Sequence, residues 1–329
     1  MRRTWIALAL TVVLLAILFS MIDLGRIVES FQRLSPAAAF GGLLLWGFTN
    51  WLRALRFRAL VLSRNVTQGR MLSIVNVQNL LASVTPGRAG ELSYVVMLRQ
   101  DVKVPGAEGL GGLVLARAFD FVIVFGVAVL ALLSVRDALP EGSGTVVGTA
   151  VAMFAGSLIL LLQLAWLSEG GVRIIEGTLR WTRLGRWSLP RRALGKAREV
   201  HSYIVRAKAR GGSGRIWILT AGIWATSYAV SWLWLTGLGI PLSFDKVIFV
   251  AAIAGLAGSL PIQGVAGLGT TEAGWAIPLV LVGVNREEAI AASFCFHALA
   301  ILYVGVLGGA GALHLALARK ARTLSQTSE

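Results

Sequence analysis

SIVNVQNLLASVTPGRAGELSYVVML, residues Ser73–Leu98, places Asn, Gln, Pro, Arg and Glu inside an otherwise apolar run. Polar and ionisable groups are costly at membrane depth; there they face a protein interior or a water-filled cavity and mark function. Asn76, Asn79 and Ser83 stand three and four positions apart and so share one helical face. Thr85-Pro86-Gly87 stops that helix, because proline lacks an N–H and glycine tolerates left-handed backbone. A second helix beginning near Gly90 turns unpaired N–H groups toward the break, with Arg88 beside it, which makes the break a candidate anion site. Glu91 is placed either to cap those N–H groups or to act directly in transport. Arg99 and Lys103 restore positive charge too soon after Gly90 for a helix to cross about 30 Å of hydrocarbon. The stretch therefore reads as a re-entrant hairpin, residues 73–98, entering from the cytoplasmic side. Non-helical backbone at that depth implies a cavity.

A second stretch, IFVAAIAGLAGSLPIQGVAGLGTTEAGWAIPLVL from Ile248 to Leu281, repeats the design. An apolar half-helix meets a break containing Pro261, Gln263, Gly264, Gly267 and Gly269, then Thr270 or Thr271 as N-cap, then Glu272 in the position of Glu91. This gives a second hairpin, residues 248–283, entering from the opposite face.

The rest of the chain frames these hairpins. Of 329 residues, 56% are apolar and 14% charged, the composition of a multi-spanning membrane protein. Six spans are expected, at residues 1–22, 36–51, 110–135, 145–167, 216–238 and 289–317. The first is read as a retained span and not a cleaved leader. Asp23–Ser35 is read as a loop. Arg53, Arg56, Arg58, Arg64 and Arg70 mark a cytoplasmic segment by the positive-inside rule, and Arg53, Arg56 and Arg64 are also placed to meet lipid phosphates. Residues 170–215 interleave many Arg and Lys with Trp and aliphatic side chains, the pattern of amphipathic helices on an anionic cytoplasmic surface. His201 within it is read as a solvated helix residue.

The expected fold is thus all-α and polytopic, about six spanning helices plus two oppositely oriented re-entrant hairpins in an inverted repeat. The first repeat covers residues 36–135 and the second 216–317, within one membrane domain, 1–329, both termini being cytoplasmic. Broken helices meeting in opposite orientations are how transporters build one site with access from both sides. Arg117 and Asp120, three residues apart in the third span, are able to pair, as a functional element or as a structural ion pair. His297 in the last span either carries a proton or makes an inter-helical hydrogen bond.

Several classes are disfavoured. The net charge of +15 is concentrated in loops and accompanies no RNA- or DNA-binding motif. Cys295 is the single cysteine, so neither a disulfide framework nor a thiolate metal cluster exists. Three scattered histidines and no clustered intramembrane acids offer no catalytic residues and no metal site, and no cofactor is implied. No ATP-binding loop is present.

Asn79 with Pro86-x-Arg88-x-Gly90-Glu91, the later Leu115-Ala116-Arg117-Ala118-Phe119-Asp120, and the LPIQGVAGLGTTEA segment resemble the integral-membrane domain of lysylphosphatidylglycerol synthases and related stand-alone flippase-like proteins. Two positions depart from the family pattern: Ala116 stands where a Glu is usual, and His297 where many relatives have Arg. The resemblance covers the chain from the second span to the last. It implies a lipid flippase of the cytoplasmic or inner membrane, moving an anionic phospholipid or lipid-linked headgroup between leaflets. No counterpart of the soluble aminoacyltransferase module is seen, so flipping and not lipid aminoacylation is expected. Asn79, Arg88, Glu91, Arg117, Asp120, Gln263, Glu272 and His297 are the expected substrate-binding residues. In that reading the phosphate meets Arg88 and Arg117, Asp120 orients Arg117, and Glu91 and Glu272 cap or gate. Membrane lipids are the expected partners, with a lipid-synthesis enzyme as a further one and the oligomeric state open. A membrane scaffold for such an enzyme, or a secondary solute transporter, is the alternative.

Overall fold

The computed structural model describes residues 24–85, 90–135, 188–211, 213–259 and 265–327. The expected spans at 1–22 and 145–167, the basic segment as far as residue 187, and Pro86, Gly87, Arg88, Pro261, Gln263 and Gly264 lie outside them.

The described secondary structure is entirely helical. Asp23–Ser35 is not a loop: α1 spans Leu24–Arg33. α2 spans Pro36–Leu60, opening on a proline at its first turn, where the missing N–H costs nothing. It continues well beyond Trp51 because the Leu, Arg and Ala residues that follow are good helix formers. Arg53, Arg56 and Arg58 therefore belong to the helix, and Arg56 is buried. α3 spans Gln68–Val84. The second arm of this broken pair is short: α4, Ser93–Met97, passes into a wide turn, Leu98–Val102, that Lys103 ends in a left-handed conformation, φ 62°. α5, Gly106–Val135, follows.

After α6, Ser188–Ala209, and α7, Ser213–Gly237, the second broken pair consists of α8, Phe244–Ser259, a tight turn at Val265–Gly267, and α9, Thr270–Leu281. α10, Arg286–Thr327, closes the described chain. Among the described residues three helices are long and apolar enough to cross a membrane: Gly106–Val135, Ser213–Gly237 and Arg286–Ala321.

The helices pair in matched sets. α2 packs along α7; α3 packs on α10, and α5 on α8; α4 touches α5 as α9 touches α10. Two apolar cores result. One gathers Phe57, Met71, Tyr94, Leu98 and Leu113 around the first broken pair, and the other gathers Leu235, Phe249, Leu279 and Phe296 around the second. α10 approaches α3 closely through glycines: a Cβ at Gly308 would stand 2.6 Å from the Leu80 Cβ, and one at Gly311 2.9 Å from the Ser73 carbonyl oxygen. Small residues at such a seam let two helix backbones pack where burial against lipid supplies no hydrophobic drive.

α6 docks against α5. Its Tyr203 is buried and donates to the Leu60 carbonyl at 2.6 Å, seated over Gly111. Burial first, then the nearby Glu108 carboxylate, pushes the phenol pKa up, so the hydroxyl remains a donor. His201, two residues before it, is half-buried instead of solvated.

Candidate functional site

A cavity of about 360 Å³ lies between the two cores, with walls from both: Phe57, Val75, Leu113 and Ala116 on one side, Val230, Trp234 and Phe296 on the other. Arg53, Arg56, Arg117, Asp120, Asn79 and His297 also line it. α3 meets the Val265–Gly267 turn, so the polar face of the first broken pair looks across at the break in the second.

The charged wall is built by α2, α5 and the residues just after the first break. Arg56 forms a two-pronged ion pair with Asp120, Nη1 to Oδ1 at 2.6 Å and Nη2 to Oδ2 at 3.0 Å. Its Nη1 also donates to the Thr220 hydroxyl at 3.2 Å, and the Trp224 indole N–H donates to Asp120 at 3.1 Å. The Arg56 side chain is 3% exposed and Asp120 12%, so each needs the other. A buried charge without its partner is far costlier than the pair is favourable.

Arg117 makes its closest contacts with another carboxylate. Its Nη2 and Nε bind the two carboxylate oxygens of Glu91, the Nε contact being 3.2 Å, whereas its nearest approach to Asp120 is 4.0 Å. The expected Arg117–Asp120 pair is present, at 4.0 Å, but the close contacts run across helices: Asp120 orients Arg56 and Glu91 holds Arg117. Geometry explains it, since residues three apart on one helix both project from the same side and each finds a better-aligned partner on a facing element. At 34% side-chain exposure Arg117 is the accessible cation of the pairings, and Arg56 the sealed one.

An amide network continues this wall. The Asn50 side chain donates to Asn76 at 2.9 Å and accepts from Arg53 at 3.0 Å and from Asn79 at 3.1 Å. The shared face expected for Asn76 and Asn79 is present and is used to hold α3 to α2. Gly90 closes the break: a Cβ there would meet the Leu81 carbonyl oxygen at 2.2 Å, and its N–H donates to the Thr85 hydroxyl at 2.7 Å.

In the second broken pair the N-cap is Gly269, not Thr270 or Thr271. Glu272 reaches back to accept from the Gly269 N–H at 2.7 Å, and Gly269 takes φ 81°, a conformation glycine adopts without steric cost. Thr270 instead bonds the Gly267 carbonyl at 2.9 Å. Glu272 is fully buried, and its other oxygen lies 2.7 Å from His297 Nδ1. His297 Nε2 lies 3.1 Å from the carbonyl oxygen of Ala266. Glu91 and Glu272 thus flank the cavity from behind Arg117 and His297.

Sequence reasoning gave Arg56 an orientation role or a lipid-phosphate contact and passed over Asn50. Asn50, Arg53 and Arg56 recur every three residues and mark one face of α2. That face was legible once the helix was extended past Trp51. Trp46 and Trp234, both lining the cavity, stack with ring centroids 5.8 Å apart. Among the described residues no group of three His, Cys, Asp or Glu could hold a metal ion.

Residues 4–309 match the family described as the lysylphosphatidylglycerol synthase TM region. The chain is also similar to a protein named glycosyltransferase AglD, from Haloferax volcanii, with 25% identity over 346 aligned positions covering 94% of this chain and 54% of that protein. The chain spans about half the length of that curated relative.

Proposed function

This chain belongs to the family of lysylphosphatidylglycerol synthase transmembrane regions, and we propose that it carries an anionic phospholipid or lipid-linked headgroup between the two leaflets. The observation that carries this reading is Arg117: a partly exposed guanidinium in the wall of an interior cavity, held by a carboxylate from another element. A phosphate entering the cavity competes with Glu91 for the same two-pronged geometry, which guanidinium offers and a lone ammonium does not. Arg56 and Asp120 stay paired and supply fixed positive potential behind the exchanging site. The acyl tails remain in lipid.

The two broken pairs act as re-entrant hairpins of an inverted repeat, residues 36–135 and 216–317. The matched packing of α3 on α10 and α5 on α8 supports this, because a two-fold relation exchanges one contact for the other. Arg88 and Gln263 belong to the two breaks by sequence and complete the proposed headgroup path. The protein resides in the cytoplasmic membrane with its arginine-rich ends inside.

Leaflet exchange of labelled anionic phospholipids and polyprenyl phosphates in proteoliposomes tests the proposal. The native chain exchanges at least one of them, and Arg117→Ala abolishes exchange while the folded fraction is retained. Exchange indifferent to Arg117, or no exchange by the native chain of any lipid offered, overturns it.

A further inference from the structure

His297 makes two contacts, and the chemistry of its two partners fixes how many protons the group holds. Ala266 presents a carbonyl oxygen, which only accepts, so the contact at Nε2 requires a hydrogen on that nitrogen. Glu272 Oε1 faces Nδ1 at 2.7 Å, and that contact requires a second proton, on one atom or the other. The remaining carboxylate oxygen, Oε2, accepts from the Gly269 N–H and is not the protonated one. The trio therefore holds one proton more than a neutral imidazole beside a carboxylate. We infer that His297, Glu272 and the Ala266 carbonyl form a proton-binding site in the cavity wall, whose occupancy holds the turn of the second break in place.

Loss of the proton has a defined consequence. The imidazole keeps its charge-assisted bond to Glu272 by carrying its one hydrogen on Nδ1, and the Nε2 lone pair then faces the Ala266 oxygen. Two acceptors repel, so the turn lets go. Ala266 is the residue poised to move, being held left-handed at φ 56° without being glycine. The proton leaves through the cavity, which both His297 and Ala266 line.

The groups around this site are few in kind. α9 contributes Glu272; α10 itself carries Cys295 and Tyr303; α3 offers the uncharged Gln78 and Asn79, and α7 Tyr228. Among the described residues the charged groups of the cavity wall are Arg53 and Arg56 on α2 and Arg117 and Asp120 on α5, and Glu29 and Arg33 of α1 pair with each other. Arginine does not titrate in the range where histidine does, so the site responds to pH through His297 and Glu272.

Ring-nitrogen NMR of histidine-labelled protein, assigned with His297→Gln, reads the proton count directly. Infrared detection of a carboxylic acid removed by Glu272→Gln reads the other location. At low pH the native chain shows either both His297 nitrogens protonated or an Nε2-protonated ring with an acid at Glu272. On raising pH it converts to the Nδ1 tautomer. In a Cys295→Ala background, Leu268→Cys should gain reactivity toward a water-soluble maleimide across the same transition, relative to an exposed Ala209→Cys reference. His297→Arg, whose charge does not titrate, should hold that ratio at its low-pH value. An Nε2 tautomer with no Glu272 acid at every pH overturns the site. A titration that leaves Leu268→Cys reactivity unchanged, or a pair that never releases its proton, overturns the link to the turn. None of these readouts requires transport.

Discussion

The two breaks use the same parts to different ends. Each puts a glutamate just after a glycine-rich interruption, but Glu91 meets a partly exposed arginine and Glu272 a buried histidine. The first pairing joins a guanidinium to a carboxylate and can be dissolved by a competing anion. The second depends on a proton. Under the proposed function the two broken segments divide their labour, one reading the headgroup and the other reading pH, because the partner on the facing helix differs.

The largest effect on that comparison comes from removing what stands behind the first break. Asp120→Ala leaves Arg56 buried without a counter-charge and should lower stability by roughly 3–5 kcal/mol, read as a fall in the melting temperature in detergent. Next is Gly90→Ala, whose new methyl collides with the backbone carbonyl of Leu81; overpacking of this kind costs about 1–3 kcal/mol, and the same melting experiment checks it. Ala266→Gly, the corresponding change at the second break, should leave the melting temperature the same or raise it, since glycine accepts the left-handed backbone without strain.

Converting one break into the other sharpens the contrast. Arg117→His should make lipid exchange pH-dependent. An imidazolium paired with Glu91 exists at low pH and is lost as pH rises, so exchange requiring a cation at this position falls as pH rises through histidine's range. Stability should change by only about 1 kcal/mol or less, since the native pair is partly open to solvent. The smallest expected effect lies outside both breaks. Tyr203→Phe removes one hydrogen bond between α6 and the end of α2 and should cost about 1 kcal/mol, with exchange unaltered.

How much of this was legible beforehand differs by level. The spans at 110–135, 216–238 and 289–317 coincide with described helices because long uninterrupted apolar runs have one physical outcome. Helix limits at polar residues were less readable: α2 was ended too early, since arginine reads as a loop signal beside a membrane yet propagates a helix well. The polar face of α3 followed from spacing alone. The cap of α9 was misplaced on a threonine because a glycine N-cap with a reciprocal glutamate satisfies the same N–H groups.

The sequence by itself determined that this is a helical membrane protein with two broken, polar, glycine-rich segments, each ending in a glutamate, since periodicity and burial cost act locally along the chain. Only the tertiary structure decided the partners. Arg117 had Asp120 three residues away and chose Glu91; Asp120 chose Arg56 from across the bundle; Glu272 found His297. Charges in a low-dielectric interior pair by alignment and distance in space, where a fraction of an ångström outweighs any nearness in sequence.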